Sequence, residues 1–496
     1  MKTTPFLPLL TAALCVTPAW AQYPWQYLET MFGWNPFEQD ASQVSGSLSK
    51  GLRAEEQQPR RYAGVPTHES VLARPSGAPV YGDKTAPCHG WRFFPSSPQR
   101  FMPYLDSIFV PGNTCAEPCD IISEDAISTA AQRTKTYLSR IGLQYSLTLS
   151  ANYTYLPRRF SGQRRNFMAF NNMANITWFL AKDCDNSQGL FLSVEADWGQ
   201  GVHYSQRTRS AQSSIGSLSN PQGCNRGGNG VFIPNLALGY SAFDGQWVGM
   251  IGTIDTTDFL DQNAYSASWN GNLMNEAFNF NPCLPLEWSN WGYLTAWQPT
   301  KNFYTMYATT GCNGQINHNP FPFISSNAWV HLSEIGLITE NFLGLGPGIY
   351  RFQYTITRYK GENGSGAAFN FQQQLGRESH LGFFTRCGVL DEDAASVSDV
   401  RACATFGFVL QAPFRSHGWG SRANHDQVAL GFLWEHAADS AKPYRHKDEY
   451  GLELSAVMQI TPTFFLQPDV QYIFNPVHET ERSGALVFQL QGVFKF

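Results

Sequence analysis

Hydrophobic and polar residues alternate strictly from Leu143 to Tyr155, with Leu, Tyr and Ala on one set of positions and Gln, Ser, Thr and Asn on the other. Successive side chains of a strand point to opposite faces, so the pattern predicts a strand with one apolar and one polar face. Comparable segments recur as far as the C-terminus, at 172–183, 188–199, 229–240, 243–253, 291–299, 302–311, 327–336, 348–360, 366–375, 379–388, 401–411, 427–437, 447–461, 463–475 and 485–496.

The last segment, Ala485 to Phe496, is apolar on one face and carries Gln and Lys on the other. Taken alone, it would also fit an edge strand of a soluble sandwich. The composition favours a membrane setting, because 14% of the residues are aromatic and only 15% are charged, against about a quarter charged in soluble domains. The sequence therefore predicts an all-β fold: a transmembrane antiparallel β-barrel of about 16 strands, with lipid outside and a watery lumen inside.

The lengths of the connections support this topology. Outer-membrane barrels join their strands by long external loops and short periplasmic turns in alternation. If the first strand runs outward, the long external connections are 157–171, 200–228, 254–290 and 312–326, and the short turns are 184–187, 241–244, 299–300 and 376–378. Two periplasmic connections, 337–347 and 412–426, are longer than the rule prefers. The C-terminus then lies in the periplasm, where Phe496 is predicted to be recognised by the barrel-assembly machinery.

The N-terminal part of the chain has a different character. Residues 1–21 read as a signal peptide, with Lys2, an apolar run and an Ala-Trp-Ala cleavage site. Residues 22–142 are rich in Pro, Gly and Ser without a sustained period, which predicts an irregular periplasmic extension that ends in a short helix. The predicted barrel occupies 143–496. Export and the barrel together predict location in the bacterial outer membrane, in contact with its lipid and lipopolysaccharide.

One long stretch resembles a known family. The sequence EYGLELSAVMQITPTFFLQPDVQYIFNP, Glu449 to Pro476, is similar to the end of the carbohydrate-selective porins of the OprB-like family, above all at 467–472 and at the Asn475-Pro476 that follows. Weaker matches are WGQGVHYS at 198–205 and DTTDF at 255–259. The resemblance covers roughly 143–496. It implies a 16-stranded barrel through which mono- or small oligosaccharides diffuse across the outer membrane.

The polar faces of the strands suit such a solute. Alternate positions along a strand face the same side, and this parity identifies the inward-facing residues of each predicted strand. The predicted pore-lining positions carry uncharged side chains that donate or accept hydrogen bonds. They are Gln353, Thr355, Gln372, Gln467, Gln471 and Gln489. Groups of this kind exchange hydrogen bonds with a neutral polyol without holding it tightly. The alternative interpretation is that they merely hydrate a wide general-diffusion pore.

A selectivity site is predicted in the longest external loop, 254–290. This loop contains no Lys or Arg, and it combines acidic with aromatic residues, among them Asp255, Asp258, Asp261, Trp269, Glu287 and Trp288. Carboxylates bridge sugar hydroxyls and aromatic rings stack on the apolar face of a pyranose. Parity also turns Glu195, Asp197, Arg351 and Arg386 inward, which predicts a constriction with carboxylates on one wall and guanidiniums on another. Alternatively, the acidic residues of the loop bind divalent ions among the surface lipids.

Nine cysteines remain if Cys15 leaves with the signal peptide. Exported proteins meet an oxidising compartment, and the predicted topology makes two disulfides reachable, Cys387 with Cys403 and Cys283 with Cys312. Cys184 would pair only with Cys88, Cys115 or Cys119, and Cys224 is left over. Apart from a weak alternative at Cys115, Cys119 and His89, no spacing suggests a metal site, and no cofactor is predicted.

Other function classes have less support. The sequence contains no G-x-S-x-G elbow, no H-E-x-x-H motif and no Walker loop, so an enzyme is not predicted. The net charge of −5 gives no reason to expect a nucleic-acid partner. The long 200–228 loop and the N-terminal extension leave a structural or adhesive surface protein as an alternative. Both monomers and trimers are consistent with a barrel of this size.

Overall fold

The structure is a computed structural model of the whole chain. It describes residues 91–93, 131, 134, 138, 141–157, 165–183, 188–202, 211–222, 230–243, 246–266, 272–285, 290–300, 302–312, 328–376, 381–411, 426–461, 463–479 and 483–495. The predicted signal peptide and the terminal Phe496 lie outside these residues. Ala131, Thr134 and Leu138, within the stretch predicted to end the extension as a helix, are helical.

Seventeen strands form the sheet of the described residues, and sixteen of them make up the barrel. The extra strand is β1 (Trp91–Phe93), which pairs with the end of β3. The barrel strands are β2 (Leu143–Tyr155), β3 (Asn166–Asp183), β4 (Gly189–Val202), β5 (Gly230–Ala242), β6 (Trp247–Ile254), β7 (Asn290–Thr300), β8 (Phe303–Gly311), β9 (Trp329–Thr339), β10 (Gly348–Tyr359), β11 (Glu362–Gln374), β12 (Leu381–Leu390), β13 (Val400–Gln411), β14 (Gln427–Ala437), β15 (Asp448–Gln459), β16 (Phe464–Phe474) and β17 (Gly484–Lys495).

Every barrel strand pairs antiparallel with its neighbours along the chain, and β17 closes the ring against β2, with Gln491 opposite Asn152. The predicted barrel of 16 strands is therefore confirmed. At the turn after β10 the boundary differs from the prediction, because β11 starts four residues before the predicted 366. Lys360 and Gly361 both have positive φ, 52° and 92°, and join β10 to β11 by a two-residue hairpin turn.

The two faces of the barrel differ as the alternation requires. On β10, Phe352 and Tyr354 point outward and are 53% and 43% exposed, whereas Gln353 and Thr355 between them point inward and are buried. Outward aromatic side chains also pack across strands, as in the stacked pair Phe406 and Phe432. In the bilayer, lipid covers this apolar outer surface.

One irregularity of the sheet positions part of the site. Along β4 and β5 the pairing shifts between Glu195, opposite Asn235, and Asp197, opposite Phe232. Pro234 lies in the shift, and it has no N–H to give to the ladder, so a bulge is the form in which the strand accommodates it. The extra residues reset the inward row of β5, and Asn235 comes to lie on the inner face beside Glu195.

The described residues also form three short α-helices, α1 (Ala211–Ile215), α2 (Glu276–Asn279) and α3 (Glu392–Ala395). All three lie in loops at the end of the barrel that carries the long connections. In the part of the chain that the structure describes, no helix is long and apolar enough to span a bilayer.

The connection between β14 and β15 carries a charged cluster at the same end. Asp439 forms ion pairs with Lys442 at 3.1 Å and with Lys447 at 3.3 Å, and its carboxylate also accepts a hydrogen bond from Tyr444. Hydrogen bonds from Lys442, then from Tyr444 and Lys447, lower the pKa of Asp439 to about 2.

Candidate functional site

The β6–β7 connection folds against the inner faces of the strands, and its described part, residues 255–266 and 272–285, is called the inner loop below. At its start, the Asp255 N–H donates to Asn235 Oδ1 on β5 at 2.7 Å. Near its middle, the backbone N–H groups of Met274 and Asn275 donate to the Glu453 carboxylate on β15. These two contacts lie on different sides of the barrel, so the inner loop crosses the lumen.

The firmest attachment of the inner loop is a buried ion pair between Asp261 and Arg386 of β12. Arg386 Nε lies 2.7 Å from Asp261 Oδ2, and both side chains are fully buried. The same guanidinium donates to three loop carbonyls, of Asp261 at 2.9 Å, Ser266 at 3.1 Å and Phe278 at 2.7 Å. Asp261 itself has a positive φ of 62°. One arginine of the wall therefore fixes three points of the inner loop.

The remaining acceptor sites of Asp261 are also satisfied. Gln353 and Asn370 donate to its Oδ1 at 3.0 and 2.7 Å, and the Asn281 N–H donates to Oδ2 at 2.6 Å. A buried ion pair is stable only when further hydrogen bonds compensate the lost hydration of both charges. Asp261 meets this condition with donors from the wall and from the loop.

Arg351 of β10 belongs to a neighbouring network. Its Nε donates to the Tyr304 hydroxyl at 2.9 Å and lies 3.9 Å from Glu334 Oε1. Glu334 in turn accepts the Asp261 N–H at 2.9 Å and a hydrogen bond from Gln353 at 2.8 Å. Arg351 and Arg386 are both completely buried. Arg386 anchors the inner loop directly, whereas Arg351 pairs with Glu334, which itself binds the loop.

Four of the other predicted carboxylates lie on the opposite side of the barrel. Glu195 and Asp197 are on β4, which is half the ring away from β12. Asn235 Nδ2 donates to Glu195 Oε2 at 2.6 Å and also to Asp258 of the inner loop. Asp255 caps the following 3₁₀ turn by accepting the Thr257 N–H at 2.9 Å. Glu195, Asp197, Asp255 and Asp258 thus form an acidic wall near β4 and β5, across the ring from Arg386 of β12.

The predicted pore-lining residues all lie on inward rows and are buried. Three of them bind the carbonyls of loops: Gln467 donates to Asn272 O at 2.9 Å, and Gln471 and Gln489 donate to Pro221 O at 2.9 and 2.7 Å. Gln372 accepts the Ala264 N–H at 3.1 Å. The amides of the wall therefore serve as attachment points for loop backbone.

A second loop, residues 211–222, also reaches the inner face. Gln222 donates to Thr154 of β2 at 2.6 Å, and Ser217 and Ser219 donate to the buried carboxylates of Glu449 and Glu435. The Glu276 N–H of α2 donates to Asn220 O at 2.9 Å. This loop therefore joins the inner loop.

Several inward acidic residues were not predicted as site residues: Glu334, Glu435, Glu449, Glu453 and Asp469. All are buried and accept hydrogen bonds from loop backbone, loop side chains or neighbouring strand amides. The parity that turned Gln353 inward would have found them, since each lies on the inward row of its strand.

Trp269, Glu287 and Trp288 lie outside the described residues, and their predicted roles stay predictions. Between the loops, the structure contains a cavity of about 580 Å³. Ser217, Glu276, Phe280, Asp399 and His478 are among its lining residues. It opens at the end of the barrel that carries the long loops.

The structure contains neither predicted disulfide among its described residues, and its geometry disfavours both pairings. Cys387 lies opposite Ala404, and Gly388 lies opposite Cys403, so Cys387 and Cys403 occupy opposite faces of the sheet. Cys387 is exposed on the outer face and Cys403 is buried on the inner one. Cys312, at the end of β8, donates its thiol to the Arg358 carbonyl at 3.2 Å, away from Cys283.

The chain was compared with protein families, curated proteins and solved structures. Residues 350–496 match the model of the carbohydrate-selective porins, OprB family. The structure is similar to Pseudomonas putida OprB at high pH, with a TM-score of 0.58 and 17% identity over 73% of this chain and 96% of that one. OmpT of Vibrio cholerae matches with a TM-score of 0.43 and 9% identity over 71% of this chain and 97% of that one. No curated protein matches the sequence.

At 17% identity the likeness to the OprB structure shows the fold, and the family match carries the relationship at the level of sequence. The match includes the stretch from Glu449 to Pro476 on which the resemblance was first noted. The resemblance is therefore confirmed: residues 350–496 match the family model of the carbohydrate-selective porins, and the chain has the 16-stranded barrel fold of an outer-membrane protein.

Proposed function

We propose that this porin lets mono- or small oligosaccharides diffuse passively through a lumen narrowed by its inner loop. The observation that carries the proposal is the fastening of that loop across the barrel. Asn235 of β5 accepts the Asp255 N–H on one side, and Arg386 of β12 binds Asp261 on another. A loop held at several points of the wall restricts the cross-section in a fixed way, which a size-selective pore requires.

The chemistry of the inner surface supports a neutral, hydroxylated solute. The inward rows are dominated by amide and hydroxyl side chains, and the arginines on them are bound within the loop network. Within the acidic wall, Asp258 is partly exposed, and its carboxylate oxygens can accept hydrogen bonds from sugar hydroxyls. Because a single such contact contributes only about 1 kcal/mol, the solute is bound weakly and leaves again.

The aromatic part of the proposal rests on the sequence alone. Trp269 and Trp288 belong to the same connection as the inner loop, and stacking on a sugar face is expected of them. Trp269→Ala and Asp258→Asn should each weaken the interaction of sugar with the pore, by about 1 kcal/mol or less.

The test is a titration of the ionic current through single pores in a planar bilayer. A small sugar added to one side should reduce the current in proportion to its occupancy, and Asp258→Asn should need more sugar for the same reduction. Arg401→Gln is the matched control, because Arg401 forms a half-exposed ion pair with Glu392 at the rim. Its sugar response should equal that of the wild type.

Two other outcomes would replace the proposal. Ionic current that sugar does not reduce, in the wild type and both variants, would indicate a general diffusion pore. No current from a folded barrel would indicate a structural or adhesive protein. Neither the proposal nor these alternatives includes a catalytic step.

A further inference from the structure

Two buried cysteines meet where the inner loop touches the wall. Cys283 follows α2 in the loop and Cys403 lies on the inner face of β13, and both belong to one apolar cluster with Leu390 and Val400. The carboxamide oxygen of Asn281 accepts the Cys283 N–H and the Cys403 thiol, each at 3.0 Å. The two cysteines therefore share one hydrogen-bond acceptor.

Gly388 shows how close the two side chains are. It is the direct partner of Cys403 in the pairing of β12 with β13. A Cβ atom added to Gly388 would lie 2.6 Å from the Cβ of Cys283. Cys283 thus occupies the space of the missing side chain opposite Cys403. Cβ atoms of direct cross-strand partners are about 4.5–5.5 Å apart, close to the roughly 3.5–4.5 Å that a disulfide needs.

The other two described cysteines do not compete for these thiols. Cys387 points to the outer face of the barrel, and the Cys312 thiol is bound to the carbonyl of Arg358. Asn281 also donates to the Cys387 carbonyl at 3.0 Å, which holds the loop against β12. The inner loop is thus already in place for a bond between Cys283 and Cys403.

We propose that Cys283 and Cys403 form a disulfide that ties the inner loop covalently to the barrel wall. The two thiols lose two protons and two electrons and form one S–S bond. The oxidant is a disulfide of the export compartment, which takes up the two electrons and two protons and becomes two thiols. The reaction takes place while the loop docks, before the surrounding apolar cluster closes over both residues.

The disulfide would hold the inner loop in a fixed position against the wall. Cys403 lies opposite Gly388, which is two positions along β12 from Arg386. The covalent link would therefore reinforce the ion pair to Asp261 from the other end of the loop segment. In the reduced protein only the non-covalent contacts hold that segment. Oxidation should therefore suppress excursions of the loop and the current fluctuations that they cause.

The first test is a cysteine map of the full chain, purified without reductant and denatured in an alkylating reagent. In most molecules, the peptide with Cys283 should be joined to the peptide with Cys403. The proposal is overturned if both residues are alkylated in most molecules, or if either is joined to another cysteine.

The second test is the noise of the open pore. Refolding with a dithiol reductant present, before the apolar cluster closes over both residues, should raise the rate of current fluctuations several-fold in the wild type and in the control Cys387→Ser. Cys283→Ser and Cys403→Ser should show the higher rate with and without reductant. Each variant is first checked for a folded, heat-modifiable barrel on gels. An equal effect of reductant on the wild type and on Cys283→Ser would contradict the proposal, whatever the sugar response of the pore.

Discussion

Replacing Arg386 by Gln should release the inner loop while the barrel stays intact. Arg386 donates to the carboxylate of Asp261 at 2.7 Å and to three loop carbonyls. Removing one partner of a buried ion pair costs about 3–5 kcal/mol, because the other charge is left buried and unpaired. At about 1.4 kcal/mol per factor of ten, the equilibrium between attached and released loop shifts by a factor of roughly 10² to 4 × 10³.

The barrel itself should tolerate this change, because backbone hydrogen bonds between neighbouring strands hold it together. In the contacts described above, the Arg386 side chain bonds only to the inner loop. We therefore expect Arg386→Gln to remain heat-modifiable on gels, with a higher single-pore conductance and a larger limiting sugar size. Arg401→Gln removes the same charge from the rim and should leave both quantities unchanged.

A double-mutant cycle identifies the pair. Asp261→Asn alone should also raise the conductance, because it leaves the Arg386 guanidinium unpaired. The double variant leaves no buried charge without its partner, so its cost should be smaller than the sum of the single costs. Unchanged conductance and sugar limit in a folded Arg386→Gln barrel would refute the anchoring role of this arginine.

Three further predictions follow from single contacts. Gly388→Ala should displace the inner loop, since the added Cβ would lie 2.6 Å from the Cβ of Cys283. The free energy of unfolding should fall by about 1–3 kcal/mol, which lowers the midpoint of thermal unfolding. Gly492→Ala is the milder control, because the nearest atom to its added Cβ is 3.3 Å away. Glu453→Gln should speed hydrogen exchange of the loop backbone before α2 about tenfold, because one of two carboxylate acceptors is lost. The carboxyl of Asp439 has a pKa of about 2 in the folded protein, so its charged cluster should be fully formed above pH 4 and lost as the pH falls through 2. Hydrogen exchange of residues 438–447 as a function of pH measures this loss, and Asp439→Asn should remove the pH dependence.

The strands could be predicted from the sequence because their two faces meet different surroundings. Alternation from Leu143 to Tyr155 is fixed by lipid outside and polar groups inside, and β2 has the predicted bounds. Parity fails where a strand contains a bulge. At Pro234 the inward row is shifted, so counting by twos along β5 would not place Asn235 beside Glu195.

Parity also explains why the geometry disfavours a bond between Cys387 and Cys403. Arg386 was predicted to point inward, and its neighbour Cys387 must then point outward, away from Cys403. The same parity on β9 turns Glu334 inward, so this residue was within reach of the sequence. To predict which cysteines can bond, the face of the strand on which each one lies is more informative than loop length and position in the chain.

The path of the inner loop could not be read from local patterns. Asp261 and Arg386 are 125 positions apart, and Asn275 and Glu453 are 178 apart. Contacts over such separations depend on how the whole barrel closes. Acidic and aromatic composition indicated that the loop had a role, but only the structure identifies Asp261 as its main point of attachment.

The lumen is expected to admit small carbohydrates, and the inner loop is expected to limit their size. The most direct measurement is the swelling rate of liposomes that contain the purified protein, in sugars of increasing size. We expect rapid swelling in a monosaccharide, a marked decrease from disaccharide to trisaccharide, and a smaller decrease for Arg386→Gln. Swelling no faster than that of protein-free liposomes in every sugar, or a size dependence identical in the wild type and Arg386→Gln, would contradict these expectations.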